Sequence, residues 1–319
     1  MIGQMLEKHN GRRHRRRFAF GLIIGLLLLW CRPSRPIGLQ VEVDQKERQW
    51  EEGKRVPRGT KAEDVQFTSE VLHRDVIYRV IRPERIPPGS KSGVLWLLHG
   101  GSGNYTDWSK SSQILDLAQR GIILVMPGAE NSFFVNALSQ QREQYETFFM
   151  KELIPDFYRR YPDADTDRAH TGIVGISRGG YGALVLGLRN PQRFSFIGSL
   201  SGTLLLAATP TPTRVPPNEQ VAENWRKATE TFGPAGSATR HENDPFQLVE
   251  TAPRPLPYIY LVSNDTDGLA TSTQRFAAEL KKLGIPSELH LDSGNHSWEF
   301  WNMQLPGMEK RLLKTFGMK

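Results

Sequence analysis

The chain has 319 residues, of which 38% are apolar and 24% charged, and this ordinary globular composition excludes a disordered or fibrous protein. Its net charge of +7 is confined to residues 1–35, which hold eight basic side chains and one acidic side chain; the balanced remainder gives no reason to expect a nucleic-acid surface. Cys31 is the only cysteine, which excludes a disulfide, a thiolate metal cluster and a cysteine nucleophile in the chain beyond it.

The N-terminal segment has the pattern of an export signal, because basic residues 12–17 precede an apolar run over residues 18–30. Residues 1–31 therefore predict a signal peptide or a signal anchor, a periplasmic or extracellular location, and membrane contact through this segment alone. No small-x-small cleavage site follows. Cys31 suggests a lipidated cysteine, whereas Trp30 argues against it, and residues 15–18 faintly resemble a twin-arginine signal.

Residues 32–65 are polar and contain three prolines, which predicts a linker. From residue 66 to 319, short apolar runs alternate with helical patterns, and this alternation predicts one α/β domain with a mostly parallel sheet covered on both faces by helices. An insertion is expected at about residues 203–255, which are rich in proline, threonine and charge. The predicted strands are 69–81 (as one long strand or a hairpin), 93–98, 122–126, 171–174, 196–199, 257–262 and 287–291, and the predicted helices are 145–161, 180–188 and 272–283.

The segment Gly175-Ile176-Ser177-Arg178-Gly179 has the form G-x-S-x-G, which is typical of a nucleophile elbow. In that turn a serine lies between a buried strand and a helix, with its hydroxyl exposed. The alternative without a function is a glycine turn that matches the motif by chance, in a chain with 29 glycines. A buried strand pattern before Ser177 and a small-residue helix pattern after it favour the elbow.

A serine hydroxyl needs a base to accept its proton and an acid to orient that base. In α/β-hydrolases these partners follow the serine in the order acid, then histidine, each after a strand. His296, after the last predicted strand, is the best candidate base. Of Asp265 and Asp267, one is expected to cap the following helix and the other to be the acid, and Asp267 is favoured as the acid. Asp292 is a poorer third candidate.

The oxyanion hole is expected to use two backbone N–H groups. One is that of Arg178, directly after the serine, and the other is that of Gly101, in the glycine-rich loop after the strand at 93–98. His99, in the same loop, is expected to be structural. Trp108, Tyr181 and Trp298 are candidate substrate contacts, although aromatic side chains near loops are more often core residues. No spacing of His, Asp and Glu matches a metal site.

Together these residues resemble the esterase D-like family of α/β-hydrolases, which includes tributyrin, feruloyl and acetylxylan esterases, S-formylglutathione hydrolases and mycolyltransferases. The resemblance covers about residues 66–316. It implies an α/β-hydrolase fold, hydrolysis or transfer of acyl esters through an acyl-serine, no cofactor, and Asp267 as the catalytic acid. The stretches that carry it are Leu95–Trp108 (LWLLHGGSGNYTDW), Tyr145–Tyr161, Gly175–Ala183 (GISRGGYGA), Leu261–Leu280 and His296–Pro306 (HSWEFWNMQLP).

The chain departs from the family pattern at Arg178, where a methionine or leucine is usual, and in the spelling of its acid segment. A cation at the mouth of the site could bias substrate choice or swing away. The expected activity is a serine carboxylic-ester hydrolase acting on small-molecule or carbohydrate-linked esters. The alternatives are an acyltransferase of the same fold and a non-catalytic envelope binding protein.

Overall fold

The computed structural model describes residues 56–140, 142–208, 219–266 and 268–318, all within one compact unit, Arg48–Lys319. The predicted export segment, most of the predicted linker and the candidate acid Asp267 lie outside the described residues. Among the helices that are described, none combines the length and the apolar character needed to cross a membrane.

Eight strands form a single sheet in the order β1-β2-β4-β3-β5-β6-β7-β8. The first two strands form an antiparallel hairpin, β2 pairs antiparallel with β4, and the other pairings are parallel. This is the expected mostly parallel sheet of an α/β-hydrolase. The strands are β1 (Thr60–Ser69), β2 (Arg74–Pro83), β3 (Gly93–Leu98), β4 (Ile122–Pro127), β5 (Thr171–Ile176), β6 (Phe196–Leu200), β7 (Tyr258–Asn264) and β8 (Ser287–Asp292).

Helices cover both faces of the sheet, as the apolar strands require, because a strand buried on both sides alternates its side chains between two cores. In β3, Trp96 packs into one core and Leu95 into the other. The helices are α1 (Asp107–Ser111), α2 (Tyr145–Phe148), α3 (Ile154–Arg160), α4 (Arg178–Arg189), α5 (Glu219–Phe232), α6 (Ala238–Glu242), α7 (Pro245–Thr251), α8 (Ala270–Lys282) and α9 (Trp298–Thr315), and a π-helical turn over Phe149–Leu153 joins α2 to α3.

Three differences from the predicted elements have physical causes. Strand β1 begins at Thr60, inside the predicted linker. It was not predicted because an edge strand with mostly exposed side chains has no continuous apolar run. The described part of the insertion is helical and consists of a turn followed by α5, α6 and α7. Helix α9 was not predicted, and it packs Leu305, Met308 and Leu312 against the sheet.

Candidate active site

Ser177 lies on the sharp turn between β5 and α4, with φ at +53° and ψ at −118°. Few residues other than glycine adopt a positive φ, and such strain is typical of functional turns. The turn is fixed from the neighbouring strand, because the Ser177 N–H donates to the carbonyl oxygen of Leu200 at 2.8 Å. The Ser177 carbonyl oxygen in turn accepts from Tyr181 N–H at 3.1 Å. The side chain of Ser177 is half-buried.

The two glycines of the motif are required by close approaches of the backbone. A Cβ atom on Gly175 would lie 2.1 Å from the carbonyl oxygen of Gly179. A Cβ atom on Gly179 would lie 2.4 Å from the carbonyl oxygens of Leu98 and His99. Because these neighbours are backbone atoms, neither contact is relieved by a rotamer change. The elbow is thus packed directly against the end of β3.

The glycine-rich loop after β3 lies against the elbow, as the predicted oxyanion hole requires. A Cβ atom on Gly100 would lie 3.5 Å from the Ser177 Cβ, and one on Gly101 would lie 2.8 Å from the Arg178 Nε. Within the described part of the chain, the N–H groups of Gly101 and Arg178 donate to no acceptor. The structure therefore leaves two backbone donors without acceptors, one directly after Ser177 in the chain and one in the loop packed against the elbow.

The Arg178 side chain is buried, with only 3% exposure, and not at the mouth of the site. Its Nη1 donates to the carbonyl oxygen of Asn131 at 2.8 Å and to the Asn131 side-chain oxygen, and its Nη2 donates to the Asn224 side-chain oxygen at 2.6 Å. Its guanidinium carbon lies 4.6 Å from the centre of the Phe133 ring. Burial lowers the pKa of Arg178 to about 10, so it remains a cation at neutral pH.

His99 holds the glycine-rich loop in place, in agreement with the structural role expected for it. Its Nε2 accepts a hydrogen bond from Ala129 N–H at 3.0 Å, and its Nδ1 lies 2.7 Å from the carbonyl oxygen of Gly100. A nitrogen that accepts carries no proton, so the ring is neutral and Nδ1 is the donor. Burial lowers the pKa of His99 to about 4, which is consistent with this neutral form.

The loop after β8 brings His296 to the edge of the sheet where Ser177 also lies. The exposed His296 ring packs edge-to-face on Trp301, with 5.1 Å between ring centres. Trp301 Nε1 donates to the Ser201 Oγ at 3.2 Å, and Ser201 directly follows the β6 residue that accepts the Ser177 N–H. The histidine loop therefore reaches back from the last strand to the strand beside the elbow.

The loop after β7 carries the candidate acids and is tied to the histidine loop. Asp265 accepts from the Ser293 hydroxyl at 2.8 Å and from Gly294 N–H at 3.3 Å. The first of these bonds contributes most to a lowered pKa for Asp265. Its carboxylate is therefore engaged in holding the loop that leads to His296. Asp292, at the end of β8, pairs with the last residue of β7.

Two of the three predicted substrate contacts lie in the core and lack the exposure that contact with a substrate requires. Tyr181 has 0% exposure and donates its hydroxyl to the carbonyl oxygen of Asn243 at 2.6 Å. Trp108 has 1% exposure and donates its indole N–H to the carbonyl oxygen of Leu98 at 3.0 Å. Trp298 is half-buried and packs edge-to-face on Trp108, with 5.2 Å between ring centres.

Asn131 was not predicted as a site residue; it lies in the loop after β4 and links two parts of the site. Its side-chain oxygen accepts from Arg178 and also from Ser102 N–H at 3.2 Å. The only signal in the sequence is its position after the carboxyl end of a buried strand.

Within the described residues, no group of three His, Cys, Asp or Glu side chains could hold a metal ion.

Comparisons with known proteins agree with this architecture. The model of the Esterase family, described as "Putative esterase", matches residues 69–312. The chain is 32% identical over 253 residues to an acetyl esterase from Caldicellulosiruptor saccharolyticus, covering 75% of this chain and 92% of that protein. It is 28% identical over 290 residues to the diacylglycerol acyltransferase/mycolyltransferase Ag85A from Mycobacterium leprae, covering 81% of this chain and 84% of that protein.

Among solved structures, the fold is similar to that of FphF, a fluorophosphonate-binding serine hydrolase from Staphylococcus aureus. The TM-score is 0.67, and the match covers 81% of this chain and 98% of that one. The sequence identity over this match is 18%, so the likeness concerns the fold alone.

Proposed function

Because the chain belongs to the Esterase family and is a serine ester hydrolase, we propose that Ser177 is its nucleophile, His296 its general base and Asp267 its acid. The observation that carries this proposal is the Ser177 turn, with its positive φ and with the Gly100-Gly101 loop packed against it. A half-buried serine hydroxyl on such a turn, beside unpaired backbone donors, is arranged for attack on an acyl carbon.

In the proposed reaction, Ser177 Oγ attacks the carbonyl carbon of the ester while His296 accepts the hydroxyl proton. The N–H groups of Gly101 and Arg178 donate to the oxyanion of the tetrahedral intermediate. When the bond to the alcohol breaks, His296 returns the proton to the departing oxygen and an acyl-serine remains. Water then attacks this acyl group, His296 again accepts and returns a proton, and the carboxylic acid leaves a free Ser177.

The proposed substrates are small-molecule esters with a short acyl group, supported by the similarity to an acetyl esterase. An acyl group attached to a carbohydrate is the finer proposal, and it depends on export of the protein. Export itself is proposed from the basic and apolar pattern of residues 1–31. Cell fractionation and mass spectrometry of the N-terminus after expression in a bacterial host would test it, because an intact Met1 on a cytosolic protein contradicts export.

Labelling with a fluorophosphonate probe tests the catalytic proposal. We expect the folded wild-type protein to be labelled at Ser177, the Ser177→Ala variant to show no labelling, and p-nitrophenyl acetate hydrolysis to disappear with it. Ser139→Ala, a serine of the loop between β4 and α2 whose hydroxyl bonds to the Glu230 carbonyl oxygen, is the matched control and should keep both signals. Labelling that persists in Ser177→Ala would contradict the assignment.

Acyl transfer to an alcohol is the second candidate function, supported by 28% identity to a mycolyltransferase over 290 residues. In transfer, a sugar hydroxyl replaces water in the second half of the reaction. Product partition during turnover, measured with and without added sugar acceptors, separates the two. Hydrolysis predicts free acid as the main product at all acceptor concentrations, whereas transfer predicts acylated sugar at the expense of acid.

A further inference from the structure

The guanidinium group of Arg178 is held by two segments from different parts of the chain. Nη1 donates to the backbone and side-chain oxygens of Asn131, in the loop after β4, and Nη2 donates to Asn224 on helix α5 of the insertion. Arg178 also begins helix α4, directly after Ser177. One side chain therefore joins the elbow, a loop beside the sheet and the insertion.

The same network reaches the glycine-rich loop. The Asn131 side-chain oxygen that accepts from Arg178 also accepts from Ser102 N–H at 3.2 Å, so it fixes the residue after Gly101. Gly101 itself lies on the arginine side chain, because a Cβ atom there would lie 2.8 Å from Nε and 3.0 Å from Cδ of Arg178. The position of the Gly101 peptide thus depends on Arg178 both by direct packing and through Asn131.

We propose that the Arg178 side chain is a positioning residue that holds the Gly101 N–H in the oxyanion hole and connects this hole to helix α5 of the insertion. The inference rests on the proposed function, since it concerns the same site. A methionine or leucine at position 178 could fill the same volume, but it could not donate to Asn131 or Asn224. The chain therefore fixes by hydrogen bonds what an apolar side chain would leave to packing.

Burial and charge distinguish this role from that of a cation that binds substrate. Arg178 is 3% exposed, so it is not available to a substrate group. Within the described residues, its hydrogen-bond acceptors are neutral amide oxygens and not a carboxylate, and its guanidinium lies over the face of the Phe133 ring. A buried cation is costly unless its donors are satisfied, and here each of the two terminal nitrogens donates a hydrogen bond to a neighbouring segment of the site.

The test compares Arg178→Met, Arg178→Lys and Asn131→Ala in the full protein, with p-nitrophenyl acetate as substrate. Loss of a well-placed oxyanion donor lowers kcat by about 10²- to 10³-fold, and misplacement of one of two donors is expected to lower it by about 10- to 100-fold. KM should stay within about twofold, because the ground-state carbonyl needs the hole less than the oxyanion does. Arg226→Gln, an exposed arginine on the same helix α5, is the control and should leave kcat unchanged.

A trifluoromethyl ketone analogue of the ester gives a readout that a purely structural role would not change. Its adduct with the serine carries an oxyanion, so its Ki should rise by the same factor by which kcat falls. The double variant Arg178→Lys/Asn131→Ala should lose less than the product of the single losses, because the two side chains share one hydrogen bond. If Arg178→Met does not fold, Asn131→Ala, a substitution of a half-buried loop residue, carries the same test.

Wild-type values of kcat and Ki in Asn131→Ala and Arg178→Lys would overturn the inference. So would a rise in KM at unchanged kcat, which indicates substrate binding and not positioning. These results are distinguishable from failure of the proposed function, in which the wild-type protein neither hydrolyses esters nor reacts with a fluorophosphonate at Ser177.

Discussion

Trp301 Nε1 donates a hydrogen bond to Ser201 Oγ at 3.2 Å, across 100 residues of sequence. Ser201 has a positive φ of +48° and its N–H donates to the carbonyl oxygen of Val262 at 2.8 Å. The backbone of the acceptor residue is thus tied to β7 directly after the end of β6. Since the His296 ring packs on Trp301, this one bond relates the candidate base to the strand beside Ser177.

Replacement of Trp301 by Phe removes the donor but keeps an aromatic face for His296. We expect kcat/KM to fall by about three- to tenfold, because small displacements of a catalytic group lower its effective concentration. The free energy of unfolding should fall by about 1 kcal/mol, as for the loss of one hydrogen bond. Ser201→Ala should reproduce both effects, and the double variant should be no worse than either single one. Additive losses in kcat/KM would show that the two side chains act separately.

The roles of Asp265 and Asp267 can be distinguished by replacing each residue with asparagine. Asp267→Asn should lower kcat by about 10³- to 10⁴-fold, because an amide leaves the base in the wrong tautomer. Asp265→Asn should lower it by less than about tenfold, since the bonds of Asp265 to Ser293 and Gly294 position a loop. Steady-state kinetics on p-nitrophenyl acetate measure both. The reverse order of losses would transfer the role of acid to Asp265.

Tyr181→Phe tests whether this residue belongs to the core or to the substrate pocket. The variant leaves the carbonyl oxygen of Asn243 without its buried donor, which should cost about 1–3 kcal/mol of unfolding free energy. KM should not change. Trp298→Ala, at a half-buried position, is the comparison, and it should raise KM if its ring contacts substrate. Chemical denaturation and KM values across acyl chain lengths give the measurements, and a raised KM in Tyr181→Phe would contradict a core role.

The sequence predicts the parts of the fold that depend on buried apolar strands. The bounds of β3 agree with the prediction, and the elbow glycines have the close contacts that the motif requires. The strand β1 and the helix α9 were not predicted, because one is a polar edge strand and the other has Pro306 within its apolar repeat. Local patterns do not report such elements, whose stability comes from pairing or packing with distant segments.

The site was predictable where a role follows from chain order and was less so where it follows from packing. The positions of Ser177 and the Gly101 loop follow from the order of strands in the sheet. Burial of the Arg178 side chain does not, because its partners Asn131 and Asn224 are 47 and 46 residues away in sequence. Likewise, nothing in the sequence around Tyr181 indicates that its hydroxyl points towards the insertion.

The buried neutral His99 should make stability depend on pH in the acid range. Its folded pKa of about 4 lies below the usual value of 6.5, so on acidification the unfolded chain binds a proton before the folded one. The stabilisation is complete above pH 6.5 and is lost as the pH falls towards 4, with a slope of at most about 1.4 kcal/mol per pH unit. Urea denaturation at several pH values between 7 and 4 should therefore show that the unfolding free energy of His99→Gln depends less steeply on pH than that of the wild type. His241→Gln, at an exposed position, is the control and should keep the wild-type slope.

Glu309, on helix α9, should have the opposite effect at higher pH. Burial, followed by the nearby charge of Asp116, raises its pKa to about 7 from 4.5, whereas Arg120 lowers it. A carboxyl group with a raised folded pKa stabilises the protein below pH 4.5, and this contribution is lost as the pH rises through 7. Glu309→Gln keeps the shape of the side chain and removes the charge. We expect the Tm of the variant minus that of the wild type to be a few degrees larger at pH 8 than at pH 4.

Glu299→Gln, an exposed change in the first turn of the same helix, is the control and should not raise Tm at either pH. If the Tm difference between Glu309→Gln and the wild type is instead smaller at pH 8 than at pH 4, attraction to Arg120 outweighs the cost of burying the carboxylate.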